Sequence, residues 1–121
     1  MNHSKLLIYQ TPDGQIKNDV HLEEETVWLM QDQMSTLFGK SKSTINEHIK
    51  NIFSEGELVE NEVMKKFGIF EFQQKVPHYY NLDVIISVGY RVKSPQGTRF
   101  RIWATQRLKE YMVNPPVLKG A

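Results

Sequence analysis

The chain contains no cysteine. That excludes a disulfide scaffold, a thiolate nucleophile, a redox dithiol and any cysteine-bearing zinc site, and it removes any argument for secretion. Long apolar runs are missing too. Stretches such as Leu6-Leu7-Ile8-Tyr9 and Val84-Ile85-Ile86 fall far short of the roughly 20 residues a membrane helix needs. Met1 to Leu7 has no signal-peptide core. The expectation is an untargeted cytoplasmic protein without membrane partners.

Catalytic signatures are equally scarce. His3, His21, His48 and His78 form no His-Glu-x-x-His motif and no i, i+4 pair for a metal. There is no Gly-x-Ser-x-Gly elbow, and Gly39-Lys40-Ser41 lacks the upstream glycine spacing of a phosphate-binding loop. Neither an enzyme nor a metal or cofactor site is expected. Glu23-Glu24-Glu25 reads as a solvated charge run on a turn.

An excess of charge is also absent. Fifteen Lys/Arg against fourteen Asp/Glu leave +1, which at first sight argues against a nucleic-acid binder. The distribution is uneven, however. Residues 1–39 carry two basic and six acidic groups, residues 40–53 three and one, residues 54–72 two and five, and residues 73–121 eight and two. Neutrality therefore arises by cancellation, and the pattern suggests one basic face on an otherwise acidic domain.

What is present suits a single domain. The 121 residues are 40% apolar and 24% charged, and thirteen aromatics can anchor a core. Leu6 to Gln10 and Ile16 to Leu22, separated by Thr11-Pro12-Asp13-Gly14, predict a hairpin. Thr26 to Leu29 predicts a further short strand. Gln31 to Phe38 and Ser43 to Phe53 follow helical periodicity, and Gly56 closes the second. Glu57 to Lys66 predicts a polar helix, and Phe67 to Tyr80 a hairpin with Gln73-Gln74-Lys75 at its tip. Asn81 caps a buried helix from Leu82 to Val88. Lys93 to Gly97 reads as a turn, followed by a helix whose face carries Phe100, Trp103, Ala104, Leu108 and Tyr111 and which ends at Asn114-Pro115-Pro116. The expected domain is 1–113, with 114–121 a flexible tail. Tyr79, Tyr80, Trp103 and Tyr111 fit core packing better than a stacking platform for single strands.

Residues 31–53 have the layout of a helix-turn-helix. Met34, Leu37 and Phe38 face the second helix, Ser35 is small where the helices cross, and Gly39 permits a left-handed turn. Ser41 or Ser43 can cap the second helix, and Ile45, Ile49 and Ile52 or Phe53 point inward. Lys42, Ser43, Asn46, Glu47 and Lys50 then point outward, a set that can enter a major groove, where Asn pairs with adenine and Lys or Ser meets guanine, thymine or phosphate. An ordinary helical hairpin has the same layout. Thr44 and His48 are candidate phosphate contacts. Arg91, Lys93, Arg99 and Arg101, with Arg107 and Lys109, are candidates for a second, sequence-blind phosphate surface or a solvated face. Lys75, above Lys65 and Lys66, could act as a wing or merely solubilise a turn.

Trp28-Leu29, Gln31, Gln33-Met34, Leu37-Phe38-Gly39, Ser41, Thr44-Ile45, Glu47 to Phe53, Glu55 to Leu58, Tyr79 to Val92, Gly97-Thr98, Phe100-Arg101 and Trp103-Ala104-Thr105 resemble the bacterial RhuM virulence-protein family over about residues 4–113. The Tyr80–Val92 block with Trp103-Ala104-Thr105 carries most of the specificity. The resemblance implies a DNA-binding protein of mobile or horizontally acquired loci, more loosely similar to phage antirepressor N-terminal domains, and members usually continue into a further C-terminal region. Met30 stands where the family usually has a Thr cap and Ser35 where it usually has Ala, which predicts a first helix that frays by about 1 kcal/mol. The resulting expectation is an α+β domain: a helix-turn-helix with flanking β-hairpins, winged-helix-like, and two further C-terminal helices. It would bind double-stranded DNA, as a homodimer on two half-sites, as a transcriptional regulator or antirepressor-like factor. The alternative is a protein–protein interaction module of a larger protein, favoured by acidic residues 54–72, with a nuclease or toxin a distant third.

Overall fold

The computed structural model describes residues 5–66 and 77–113. It is α+β, in the order β1 (Lys5–Gln10), β2 (Lys17–Glu23), β3 (Thr26–Met30), α1 (Gln31–Phe38), α2 (Lys42–Ser54), α3 (Glu60–Val63), β4 (Met64–Lys66), β5 (His78–Asn81), α4 (Leu82–Val92) and α5 (Pro95–Val113). The strands form one antiparallel sheet in the order β1-β2-β3-β5-β4.

Alternation along the strands decides which face is covered. Cross-strand partners share a face, and Leu7↔Val20, Leu22↔Val27 and Leu29↔Tyr80 all belong to one. Val20, Val27 and Leu29 there are fully buried against Met34 and Leu37 of α1, Ile45 and Ile52 of α2, Val84 and Val88 of α4, and Phe100 of α5. Removing a side chain of this size from water stabilises by about 1.5–3 kcal/mol, so the helical layer is held by many such burials. Phe100 receives the Tyr9 ring edge-on at 5.1 Å, and Tyr9 stands edge-on to Trp103 at the same separation, which fastens α5 across β1. Tyr80 is thus a core residue, Trp103 packs partly buried against the core, and Tyr79 meets His21 edge-on on the reverse face.

The β1–β2 connection follows its turn chemistry. Thr11 N–H donates to the Ile16 carbonyl at 3.0 Å, while the Asp13 carboxylate accepts from the Thr11 hydroxyl and the Gln15 N–H. The start of α1 is less regular, because Met30 cannot cap. Its place is taken by Gln33, whose Oε1 accepts the Met30 N–H at 2.7 Å and whose Nε2 donates to the Asp19 carbonyl at 2.8 Å. Asn18 Nδ2 donates to the Gln33 carbonyl at 3.0 Å. These bonds tie the first turn of α1 to β2, so the fraying expected from the missing cap is countered by tertiary contacts.

Three other expectations are corrected. The polar helix foreseen over Glu57 to Lys66 is a single turn, Glu60–Val63, because Met64, Lys65 and Lys66 pair with Tyr80, Tyr79 and His78 at the sheet edge. The turn foreseen over Lys93 to Gly97 is shorter. Lys93 closes α4 in the left-handed region (φ 54°), and Pro95 already begins α5, a position where its fixed φ suits a helix and its missing N–H costs nothing. Glu23-Glu24-Glu25 is not uniformly solvated either. Glu23 is buried, its carboxylate 3.4 Å from Lys65 Nζ, and Lys65 also pairs with Glu24 and lies 5.6 Å from the centre of the Trp28 ring. β4 pairs antiparallel with β5, but the expected first arm of the hairpin from Phe67 and its tip, Gln73-Gln74-Lys75, lie outside the described residues, as does the expected tail 114–121.

The two-residue connection between β2 and β3 requires positive φ at both central positions, and these are Glu24 (φ 55°) and Glu25 (φ 61°). Such turns favour Asn-Gly, since a Cβ in this region costs about 1–2 kcal/mol. Lys65 offsets part of that cost at Glu24 and none at Glu25 among the described contacts. Glu25→Gly is expected to raise the unfolding free energy by about 1 kcal/mol, read as a higher denaturant midpoint with unchanged slope.

Candidate functional site

The segment from α1 through α2 gathers the candidate residues. Phe38 ends α1, Gly39 takes φ 65° and ψ 37°, and three residues later α2 begins. Ser35 does more here than provide a small side chain. Its carbonyl accepts the Lys40 N–H at 3.1 Å and its hydroxyl donates to the Lys40 carbonyl, closing the turn from both sides. Gln31 Nε2 donates to the Lys42 carbonyl at 3.0 Å, which links the first residues of the two helices.

Of the two serines offered as the cap of α2, Ser41 serves. Its Oγ accepts the Thr44 N–H at 3.2 Å, and the hydroxyls of Ser43 and Thr44 lie 3.1 and 2.9 Å from it. Ile45, Ile49 and Ile52 are buried against the core, and Phe53 packs at its margin. By helical geometry the opposite face is left outward. Lys42, Ser43, Glu47 and Lys50 are exposed, while Thr44, Asn46 and His48 are partly covered. The spacing of Lys42, Asn46 and Lys50 puts them in one row. Neither lysine has a carboxylate partner among the described residues.

The C-terminal cations do not join that row as a set. Arg91 is committed to the fold: its Nη2 lies 2.8 Å from both Glu55 Oε1 and Glu57 Oε1, and Ser87 donates to the other oxygen of Glu57. Hydrogen bonds from Arg91 and Ser87 hold the Glu57 carboxyl below its ordinary range. Arg107 pairs with Glu110 at 2.8 Å. Arg99 lies toward the first hairpin, where its charge reaches Tyr9 and Asp13. Lys93 and Arg101 share a separate cleft between α4 and α5. Lys75 lies outside the described residues, and Lys65 is occupied by Glu23 and Glu24. Among the described residues a single basic face is therefore not assembled: Arg91 and Lys65 are met by carboxylates from distant segments, and Arg107 by Glu110 on its own helix.

Sequence reading missed Glu55 and Glu57 as the partners of Arg91, 36 and 34 residues away, and Ser87 as a donor to Glu57, 30 residues away. It also missed the role of Gly89 and Gly97. A Cβ on Gly97 would stand 3.2 Å from Gly89 Cα, and one on either glycine 3.3 Å from the Phe38 ring. The helices α4 and α5 thus cross backbone to backbone over the last residue of α1. Two glycines eight residues apart on either side of a turn were the available signal.

The model of the virulence protein RhuM family matches residues 44–120, well over half of the chain. The match opens within α2 and takes in everything after it, whereas the first hairpin, β3 and α1 precede it. No curated protein and no solved structure matches the chain.

The pairing of Arg91 with Glu55 and Glu57 fastens the end of α2 to α4 and predicts a pH-dependent penalty. Since the Glu57 carboxyl is lowered in the folded chain, its contribution is complete above the ordinary carboxylate range and is lost as the pH falls through the lowered value. Arg91→Gln is expected to cost about 1 kcal/mol at pH 7. In denaturant titrations the gap between variant and wild type should narrow below about pH 4; a gap independent of pH would show that the carboxylates do not carry it.

Proposed function

The chain belongs to the virulence protein RhuM family, and from that premise we propose that it is a double-stranded-DNA-binding domain built on a helix-turn-helix. The observation that carries this reading is the division of α2 into a fully packed isoleucine face and an outward row of Lys42, Asn46 and Lys50 with Ser43 and Glu47 beside it. An α-helix fits the major groove. Asn46 would pair with adenine, Ser43 and Lys42 would read the neighbouring bases, Glu47 would accept from cytosine, and Lys50 with Thr44 and His48 would anchor phosphates. Lys93, Arg99 and Arg101 remain candidate phosphate contacts outside this row, whereas Arg91 would contribute little because two carboxylates already meet its charge. In this reading the protein is a cytoplasmic transcriptional regulator or antirepressor-like factor, dimeric on two half-sites. No described helix is long and apolar enough to cross a membrane.

One observation favours a second reading, docking onto another protein. β1 is an edge strand, and its Leu6 and Ile8 are 55% and 56% exposed on the face away from the helices.

The two readings separate in a binding series with duplexes selected from a random library. DNA binding predicts an affinity that falls steeply with salt through counterion release. Asn46→Ala should relax preference at one position by about 1–3 kcal/mol, and Lys50→Ala should weaken all duplexes alike. No binding to any duplex, or binding indifferent to salt, would overturn the proposal in favour of docking.

A further inference from the structure

Between α4 and α5 lies a cleft of about 360 Å³, at the small end of the range for small-molecule sites. Its lining includes Gly89 and Gly97, where the two helices cross backbone to backbone. Among the described residues its lining includes no acidic one.

Two cations, Lys93 and Arg101, face this space. Elsewhere on the molecule Lys65, Arg91 and Arg107 each have a carboxylate partner, but neither Lys93 nor Arg101 has an ion pair or side-chain hydrogen bond among the described residues. The backbone of Lys93 is set, for it closes α4 in the left-handed conformation with its N–H directed to the Tyr90 carbonyl at 3.2 Å, and its side chain is exposed. Like charges around one concavity with no counter-charge among the described residues make a positive field that favours an anion. Hydroxyls stand beside them. Ser94 Oγ accepts the Gln96 N–H at 3.2 Å, which leaves its own proton to donate, and Thr98 lies one turn further along α5.

The remaining wall is aromatic. Tyr90 is 82% exposed, so its ring contributes little to the core and offers a flat face at the rim. A phosphate-sized anion would use the cations and hydroxyls but not this ring. A duplex would reach the cations with its backbone, yet its base faces are hidden by stacking. An unpaired nucleotide uses both. We infer that the α4–α5 cleft binds a nucleoside monophosphate, its phosphate between Lys93 and Arg101 with Ser94 and Thr98 donating, and its base stacked on Tyr90. This inference does not rest on duplex recognition by α2.

The test is calorimetric titration of the whole chain with adenosine, guanosine, cytidine and uridine monophosphates, alongside adenosine and inorganic phosphate. At least one monophosphate is expected to bind one-to-one, about tenfold or more tighter than adenosine or phosphate alone. Tyr90→Ala and Arg101→Gln, both at exposed positions, should each weaken it about tenfold, with unliganded thermal melts matching the wild type. Asn46→Ala should leave it unchanged, which separates this site from the proposed DNA face. Absence of binding by all four monophosphates up to millimolar concentration would overturn the inference. So would nucleotide binding that survives both variants, or variants that weaken only duplex binding, an outcome that would make the cleft a backbone contact.

Discussion

The contact of Phe38 with Gly89 and Gly97 sets the relation between the two halves of the helical layer. Phe38 is the last residue of α1, immediately before the left-handed Gly39 that turns the chain into α2. Its ring lies where α4 and α5 approach so closely that a Cβ on either glycine would stand 3.3 Å from it. Packed interiors tolerate little adjustment, so the position of that ring constrains the turn beyond it and hence the direction in which α2 presents its outward face. The cleft of Lys93 and Arg101 lies over the same glycine pair. One crossing therefore supports both surfaces for which a binding role is proposed.

Electrostatics sorts the basic residues by partner. Glu55 and Glu57 take Arg91, Glu23 and Glu24 take Lys65, and Glu110 takes Arg107. Exposed ion pairs individually contribute little, but the first two sets link the end of α2 to α4 and β2 to β4, elements far apart in sequence, while the third lies within α5, and each removes a cation from the surface field. Lys42 and Lys50 on α2 and Lys93 and Arg101 at the cleft have no such partner among the described residues. Net charge near zero thus conceals cations already used for folding and others available to a ligand.

Features written in short stretches of chain were legible in the sequence. Thr11-Pro12-Asp13-Gly14, Gly39, Ser41 and Asn81 each act on neighbours within a few residues, and the helices and turns they specify are present. The inward isoleucines of α2 followed from periodicity alone. Legibility failed where a distant segment decides. Residues 57–66 carry helical character, but Met64 to Lys66 find hydrogen-bond partners in β5, and a ladder along a sheet edge outweighs weak propensity. Likewise Glu23 resembled its solvated neighbours until the fold brought the Lys65 side chain within reach of it. The candidate row Lys42, Asn46 and Lys50 could be read because it lies on one helix, whereas the fate of Arg91 could not, since its carboxylates come from a segment more than thirty residues earlier.

Adjacent positions on α4 show how narrowly these roles are divided. Successive residues of a helix point about 100° apart. Arg91 therefore turns toward the end of α2 and is neutralised there, while Tyr90, one residue earlier, stands open at the rim of the cleft, and Lys93 closes the helix on the cleft side. A basic cluster written as Arg91-x-Lys93 looks uniform in sequence, yet the helix sends one charge into the structure and leaves the other free. The function of a surface cation here depends less on how many neighbours in sequence share its sign than on whether folding has already brought it a carboxylate.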